Sequence, residues 1–300
     1  MISKFKLFVI ISVISFGQLS AQKLYLTDSF KVKKRTFTYH KLKLEKNLKL
    51  DLYRPKKLKT IRPLIIYVHG GGFSGGKRND DVSKTFSTEF TKFGYNVASI
   101  SYRLTMKGIG FGCSTKADLK IKAFDEASKD LSYAIQYLLK KQKRFKIDTS
   151  KIILVGSSAG AEAILHFAYA YNNTILNDDV KIAGLVSMAG ALTTLKNINS
   201  KTAIPTQLFH GTKDELVPYN IAPHHYCKTT DEGYLELFGS RAIADHLKKI
   251  DKSYYLYTVK NGDHSWNSRP IFEAKEHILD FLYFDVLQNK QRKTEVNTSI

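Results

Sequence analysis

Apolar residues along the chain fall into two patterns, short unbroken runs and longer stretches with helical spacing, and the two alternate. From Arg35 to Lys56 apolar and polar positions alternate with period two around Lys46-Asn47, through Leu42, Leu44, Leu48, Leu50 and Leu52. That pattern predicts an antiparallel hairpin at a sheet edge. Pro63 to Val68 is an unbroken apolar run of the kind found in strands covered on both faces. Helical spacing predicts a helix over Asp81–Phe93, then a strand over Asn96–Tyr102 and a long helical region from Ala117 to about Lys143. Ile152 to Val155 predicts a buried strand that turns sharply into an Ala-rich helix ending near Tyr171. Further strands are expected over Lys181–Ala189, Pro205–Phe209 and Ser253–Val259, with helices over Leu237–Ile250 and Arg269–Leu287. Residues 219–236 read as irregular and polar, and the tail from Gln288 as polar and mobile.

Strands alternating with helices demand an α/β fold with a mostly parallel, doubly covered sheet, here carrying N-terminal antiparallel strands at its edge. No internal repeat and no second apolar core behind a linker is visible, so residues 22–300 read as one domain. Residues 1–21 stand apart. Lys4 and Lys6 precede an apolar run from Leu7 to Phe16 and a small-residue end at Ser20-Ala21. This is the pattern of a secretory signal peptide, too short for a membrane span of about 20 apolar residues. Cleavage after Ala21 leaves a soluble, secreted or periplasmic protein with no stable membrane insertion.

A hydrophobic content of 43% is ample for a large core, and the formal charge is +20. The basic residues are dispersed and mostly Lys, without a nucleic-acid-binding signature, so no nucleic acid partner is expected. They read as a solvated surface, with attachment to an acidic surface or substrate as the alternative. Export permits the two cysteines, Cys113 and Cys227, to pair, and both lie in segments expected as loops on one side of the sheet.

Candidate chemistry centres on Gly156-Ser157-Ser158-Ala159-Gly160. Between a strand and a helix, this G-x-S-x-G spacing puts Ser158 at the apex of a turn too tight for side chains at its two glycines. The pentapeptide alone is a weak signal, and three companions strengthen it: His69-Gly70-Gly71-Gly72 after an earlier strand, Asp214 after a later one, and His264 after the last expected strand. The glycine loop lacks the Lys-Ser/Thr of a phosphate-binding loop.

Together these motifs resemble the α/β-hydrolase superfamily, and within it the carboxylesterases and hormone-sensitive-lipase-like esterases that carry an HGGG loop. The resemblance implies an α/β-hydrolase fold and a secreted serine esterase, acting on small-molecule or carbohydrate esters. It implies Ser158 as nucleophile, His264 as base, Asp214 as orienting acid, and the amides of Gly71, Gly72 and Ala159 as an oxyanion hole. Glu215 is the rival acid, while Asp263 reads as a turn former. His166, His246 and His277 fall inside expected helices, and His69 and His210 read as bracing their loops. His224, His225 and Cys227 supply too few ligands for zinc, and no metal or organic cofactor is expected. One departure is Ser157, where many such esterases carry an acidic residue. A small lid is expected from residues 104–116 and 219–236. A peptidase of the same fold and a non-catalytic binding protein on the same scaffold are the rival readings.

Overall fold

Alternate residues of the apolar runs face opposite ways, and that alternation builds the molecule. The computed structural model describes residues 24–43, 46–171 and 181–300, so the leader expected over residues 1–21 lies outside the described residues. The strands are β1 (Val32–His40), β2 (Leu48–Pro55), β3 (Arg62–Val68), β4 (Asn96–Ile100), β5 (Ile147–Ser157), β6 (Ile182–Met188), β7 (Thr206–Gly211), β8 (Ile221–Pro223), β9 (Glu236–Phe238), β10 (Tyr254–Lys260) and β11 (Lys293–Ser299). The main helices are α1 (Asp81–Lys92), α2 (Ala117–Lys140), α3 (Ala159–Tyr169), α4 (Ser240–Lys249) and α5 (Lys275–Phe281). A nine-stranded sheet runs in the order β1-β2-β4-β3-β5-β6-β7-β10-β11. The hairpin β1–β2 is antiparallel, β2 meets β4 antiparallel, and all later pairs are parallel.

Leu64, Ile66 and Val68 of β3, with Ile152 and Leu154 of β5, pack under α2, α3 and α4, where they meet Phe124, Leu131, Ile164 and Leu247. Ile65, Tyr67, Ile153 and Val155 point the other way and meet Phe86 and Phe90 of α1 and Ile278 and Phe281 of α5. Both faces of the central strands are therefore buried, and each such side chain contributes about 1.5–3 kcal/mol. The start of α1 is fixed by Asp80, whose side chain accepts from the Ser83 amide at 2.7 Å.

The structure corrects three expectations. The helix expected over Arg269–Leu287 is broken: a short turn over Pro270–Glu273 ends at Ala274, whose φ of −136° is not helical, α5 follows, and a π-helical turn spans Leu282–Leu287. Residues 219–236 are not wholly irregular, because β8 pairs antiparallel with β9. The tail expected to be mobile forms β11, parallel to β10 from Tyr254↔Lys293 to Lys260↔Ser299. Its alternating exposure is that of an edge strand held by its backbone ladder. Glu295 adds a side-chain tie, accepting from the Tyr254 hydroxyl at 2.7 Å and from Arg241 at 3.0 Å.

Candidate active site

The strands β3, β5, β6, β7 and β10 are consecutive in the sheet, and the loops leaving the carboxyl ends of β3, β5, β7 and β10 gather the motif residues. Ser158 stands between β5 and α3 with φ 50° and ψ −122°, a left-handed conformation that costs a non-glycine residue about 1–3 kcal/mol. The fold holds it there by backbone contact. The Ser158 amide donates to the Met188 carbonyl at 2.9 Å. A Cβ on Gly156 would lie 2.3 Å from the Gly160 oxygen, and one on Gly160 would lie 2.1 Å from the Val68 oxygen. Glycine is thus required at both places, and Ser158 is left at the N-terminus of an eleven-residue helix, where its dipole favours negative charge.

Ser158 Oγ lies 2.9 Å from His264 Nε2, and His264 Nδ1 lies 2.7 Å from Asp214 Oδ2. Asp214 is buried, and its Oδ1 accepts from the amides of Leu216 and Val217, each at 2.9 Å. From sequence, His210 is expected only to brace its loop. It does brace, through Ser240 Oγ at 2.8 Å and the Val217 carbonyl at 3.0 Å, but its Nε2 also lies 3.2 Å from Asp214 Oδ2. Burial opposes the Asp214 carboxylate, yet the hydrogen bonds from His210 and His264 outweigh it and hold its pKa well below the usual carboxylate range. Glu215 is exposed, and Asp263 caps its own turn by accepting from the Ser265 amide at 3.0 Å. Asn267, unmarked by any motif, donates to the His264 carbonyl at 2.6 Å and accepts from Ser157 Oγ at 3.3 Å, tying the His264 loop to the elbow.

The His69–Phe73 loop presses on this elbow: a Cβ on Gly70 would lie 2.9 Å from the Ser157 oxygen and 3.2 Å from Ser158 Cβ. Tyr102 fixes the loop from behind, donating to the His69 carbonyl at 2.9 Å and stacking on its imidazole at 4.5 Å. Among the described residues, the amides of Gly71, Gly72 and Ala159 donate to no backbone carbonyl. Those donors remain available to a ligand oxygen.

Cys113 is joined to Cys227 across a Cα–Cα distance of 5.3 Å. Both cysteines are consumed by this bond, which removes Cys227 as a partner for His224 and His225 in a metal site. His225 and Tyr226 both take positive φ, 56° and 52°, and the His225 amide donates to the Leu216 carbonyl at 2.9 Å. Under this segment a polar cluster is buried. Lys120 Nζ donates to the Gly233 carbonyl at 2.8 Å, and His224 Nε2 lies 3.6 Å from Glu162 Oε1. Burial, aided by nearby Asp214, raises the Glu162 carboxyl well above its ordinary range, and burial lowers His224 well below its own. Both shifts favour the neutral forms of the two groups.

Comparison with known proteins bears on the fold and on the kind of protein this chain resembles. A family model described as BD-FAE matches residues 50–191. Gut esterase 1 of Caenorhabditis briggsae is 28% identical over 117 residues, 39% of this chain and 20% of that protein. Esterase S of Drosophila virilis is 27% identical over 147 residues, 48% of this chain and 26% of that protein. The match to this chain thus spans only about a fifth to a quarter of the length of these curated relatives. Among solved structures, Thermogutta terrifontis esterase 2 phosphorylated by paraoxon superposes with a TM-score of 0.61 at 16% identity, over 84% of this chain and 94% of that one. Its butyrate-bound form gives 0.59 at 17% identity, over 85% and 94%.

Proposed function

We infer that this chain, a member of the α/β-hydrolase superfamily, hydrolyses carboxylic esters through an acyl-enzyme on Ser158. The observation that carries the reading is the continuous hydrogen-bonded line from Ser158 Oγ through the His264 ring to Asp214 Oδ2. In this reading Ser158 Oγ attacks the ester carbonyl while His264 Nε2 takes its proton. Asp214 holds the ring with Nδ1 protonated and offsets the charge of the imidazolium. The carbonyl oxygen, now negative, accepts from the amides of Gly71, Gly72 and Ala159, and each such donor is worth about 3–4 kcal/mol in the barrier. His264 returns the proton to the leaving alcohol. Water then attacks the acyl-serine by the same route and releases the acid.

His210 acts on Asp214 and Asn267 on the His264 loop, so both are positioning residues. The esterase names carried by the relatives above favour esters over amides. Carbohydrate esters stand beside small-molecule esters as substrates, and the leader with the Cys113–Cys227 bond favours an exported protein in an oxidising compartment.

Ser158→Ala tests the assignment. It should remove on the order of 10⁶-fold from kcat with 4-nitrophenyl acetate while the circular dichroism spectrum is retained. A fluorophosphonate probe should label Ser158 alone. Retained activity, or a label on another residue, would end this reading.

A further inference from the structure

A cavity of about 650 Å³ opens beside the oxyanion loop at the carboxyl end of β4. Its wall carries Lys46, Lys49, Arg78, Arg103 and Lys107 around Tyr102, and no carboxylate lines it among the described residues. The two arginines are already committed. Arg78 Nε meets the buried Asp51 at 3.2 Å, and Arg103 is bound by the buried Asp130 at 2.8–3.0 Å and by Glu126. Lys46, Lys49 and Lys107 are exposed and form no ion pair among the described residues. Among the described residues the cavity therefore presents three ammonium groups with no carboxylate paired to them.

Its position connects it to the site. Tyr102 of its wall is the residue that donates to His69 and stacks on it, and the Met106 amide beside Lys107 donates to the Phe73 carbonyl at 3.0 Å. β4 is separated from β5, the strand that carries Ser158, by β3 alone. At a strand spacing of about 4.8 Å, that is roughly 10 Å across the sheet, a distance a short oligosaccharide spans.

We propose that this cavity is a subsite for carboxylate groups of the substrate, and that the preferred substrate is an O-acylated acidic polysaccharide, a chain of uronate sugars. This rests on Ser158 being the ester-cleaving nucleophile. Three separated point charges in an open groove suit a polymer with one negative charge per sugar. Phosphate recognition is served best by the bidentate guanidinium fork, and both arginines here spend theirs on aspartate. A chain held by its uronates beside β4 lays a neighbouring acyl group across the oxyanion loop toward Ser158.

The experiment uses full-length protein carrying Ser158→Ala, titrated calorimetrically with oligogalacturonate at low and high salt. Binding is expected to weaken with salt, and to weaken about tenfold or more when Lys46→Gln, Lys49→Gln and Lys107→Gln are combined, as loss of three exposed charge contacts implies. A neutral xylo-oligosaccharide of equal length should not distinguish parent from variant. With Ser158 restored, the ratio of kcat/KM for acetylated polygalacturonate to that for acetylated xylan should fall by a similar factor in the triple variant. Equal binding of oligogalacturonate by parent and variant, or no preference over the neutral chain, overturns the subsite. Tighter binding of a single-stranded oligonucleotide overturns the saccharide assignment. The two readings fail separately: a protein that cleaves no ester still reports on the subsite by binding, whereas one that cleaves 4-nitrophenyl acetate but binds no uronate loses the subsite alone.

Discussion

His166 lies in the first layer beneath the elbow, stacked on Phe124 at 4.2 Å, its Nδ1 donating to the Glu162 carbonyl at 2.8 Å and its Nε2 accepting from Thr193 Oγ1 at 3.1 Å. Those partners suit a neutral ring, and burial pushes the imidazole down to about 4, only partly offset by the bond to Glu162. The folded pKa is thus below the unfolded value of about 6.5. Such a group contributes stability that is fully present above pH about 6.5 and is lost as pH falls towards 4, about 3 kcal/mol in all. Urea unfolding should show that decline, and His166→Gln should flatten it; an unchanged pH slope in the variant would place the titration elsewhere. At this scale the sequence was informative where residue types follow from a spacing. Ser158, Asp214 and His264 are each anchored to the end of a strand, and the fold brings them within hydrogen-bond reach. His210, Asn267 and Glu162 carry no such mark, because their roles depend on loops crossing from strands distant in sequence.

The two loops over residues 104–116 and 219–236 show what an element adds beyond its residues. Two loops with little secondary structure are held together by the disulfide, by the Gly233 amide on the Cys113 carbonyl at 2.9 Å, and by Ala117 on Glu232 at 3.0 Å, with Lys120 beneath. Cys113 and Cys227 are 114 residues apart, for which the chain-entropy model gives up to about 4–5 kcal/mol, and measured values run smaller. Cys113→Ser with Cys227→Ser should therefore lower Tm by several degrees. The hydrolysis of a small neutral ester should change little, since the Ser158–His264–Asp214 line draws no bond from the disulfide. A collapse of that hydrolysis in a protein still folded would show the two tied loops to be part of the reacting geometry. Long apolar runs were legible as strands and their order predicted the parallel sheet. The three-residue strands β8 and β9 were not, being too short to display a period. β11 was missed because Val296 is its only apolar residue before the terminal Ile300, and an edge strand owes its place to backbone pairing.

For the molecule as a whole, β11 forms one edge of the sheet, and its backbone pairs the polar groups of β10 that would otherwise face solvent, while its charged side chains blunt the new edge. Ending the chain at Arg292 should lower Tm and produce concentration-dependent aggregates in light scattering; a soluble, equally stable truncated protein would show β11 to be dispensable. The other molecular feature is where the catalytic loops touch. The elbow meets the end of β3 through Gly160 and the Val68 carbonyl, and the Asp214 and His264 loops are joined by Lys213 N to the Gly262 oxygen at 2.8 Å and Thr212 N to Val259 at 2.9 Å. These are main-chain contacts, indifferent to the side chains behind them. Heritable change in the two cores, outside side-chain anchors such as Tyr102, is therefore filtered for stability while the main-chain contacts between the catalytic loops are kept. Leu131→Ala, which empties space under α2, should cost about 2–5 kcal/mol and yet leave kcat per folded molecule at the parental value. A lineage built on this frame can replace most of its interior by drift and keep its chemistry.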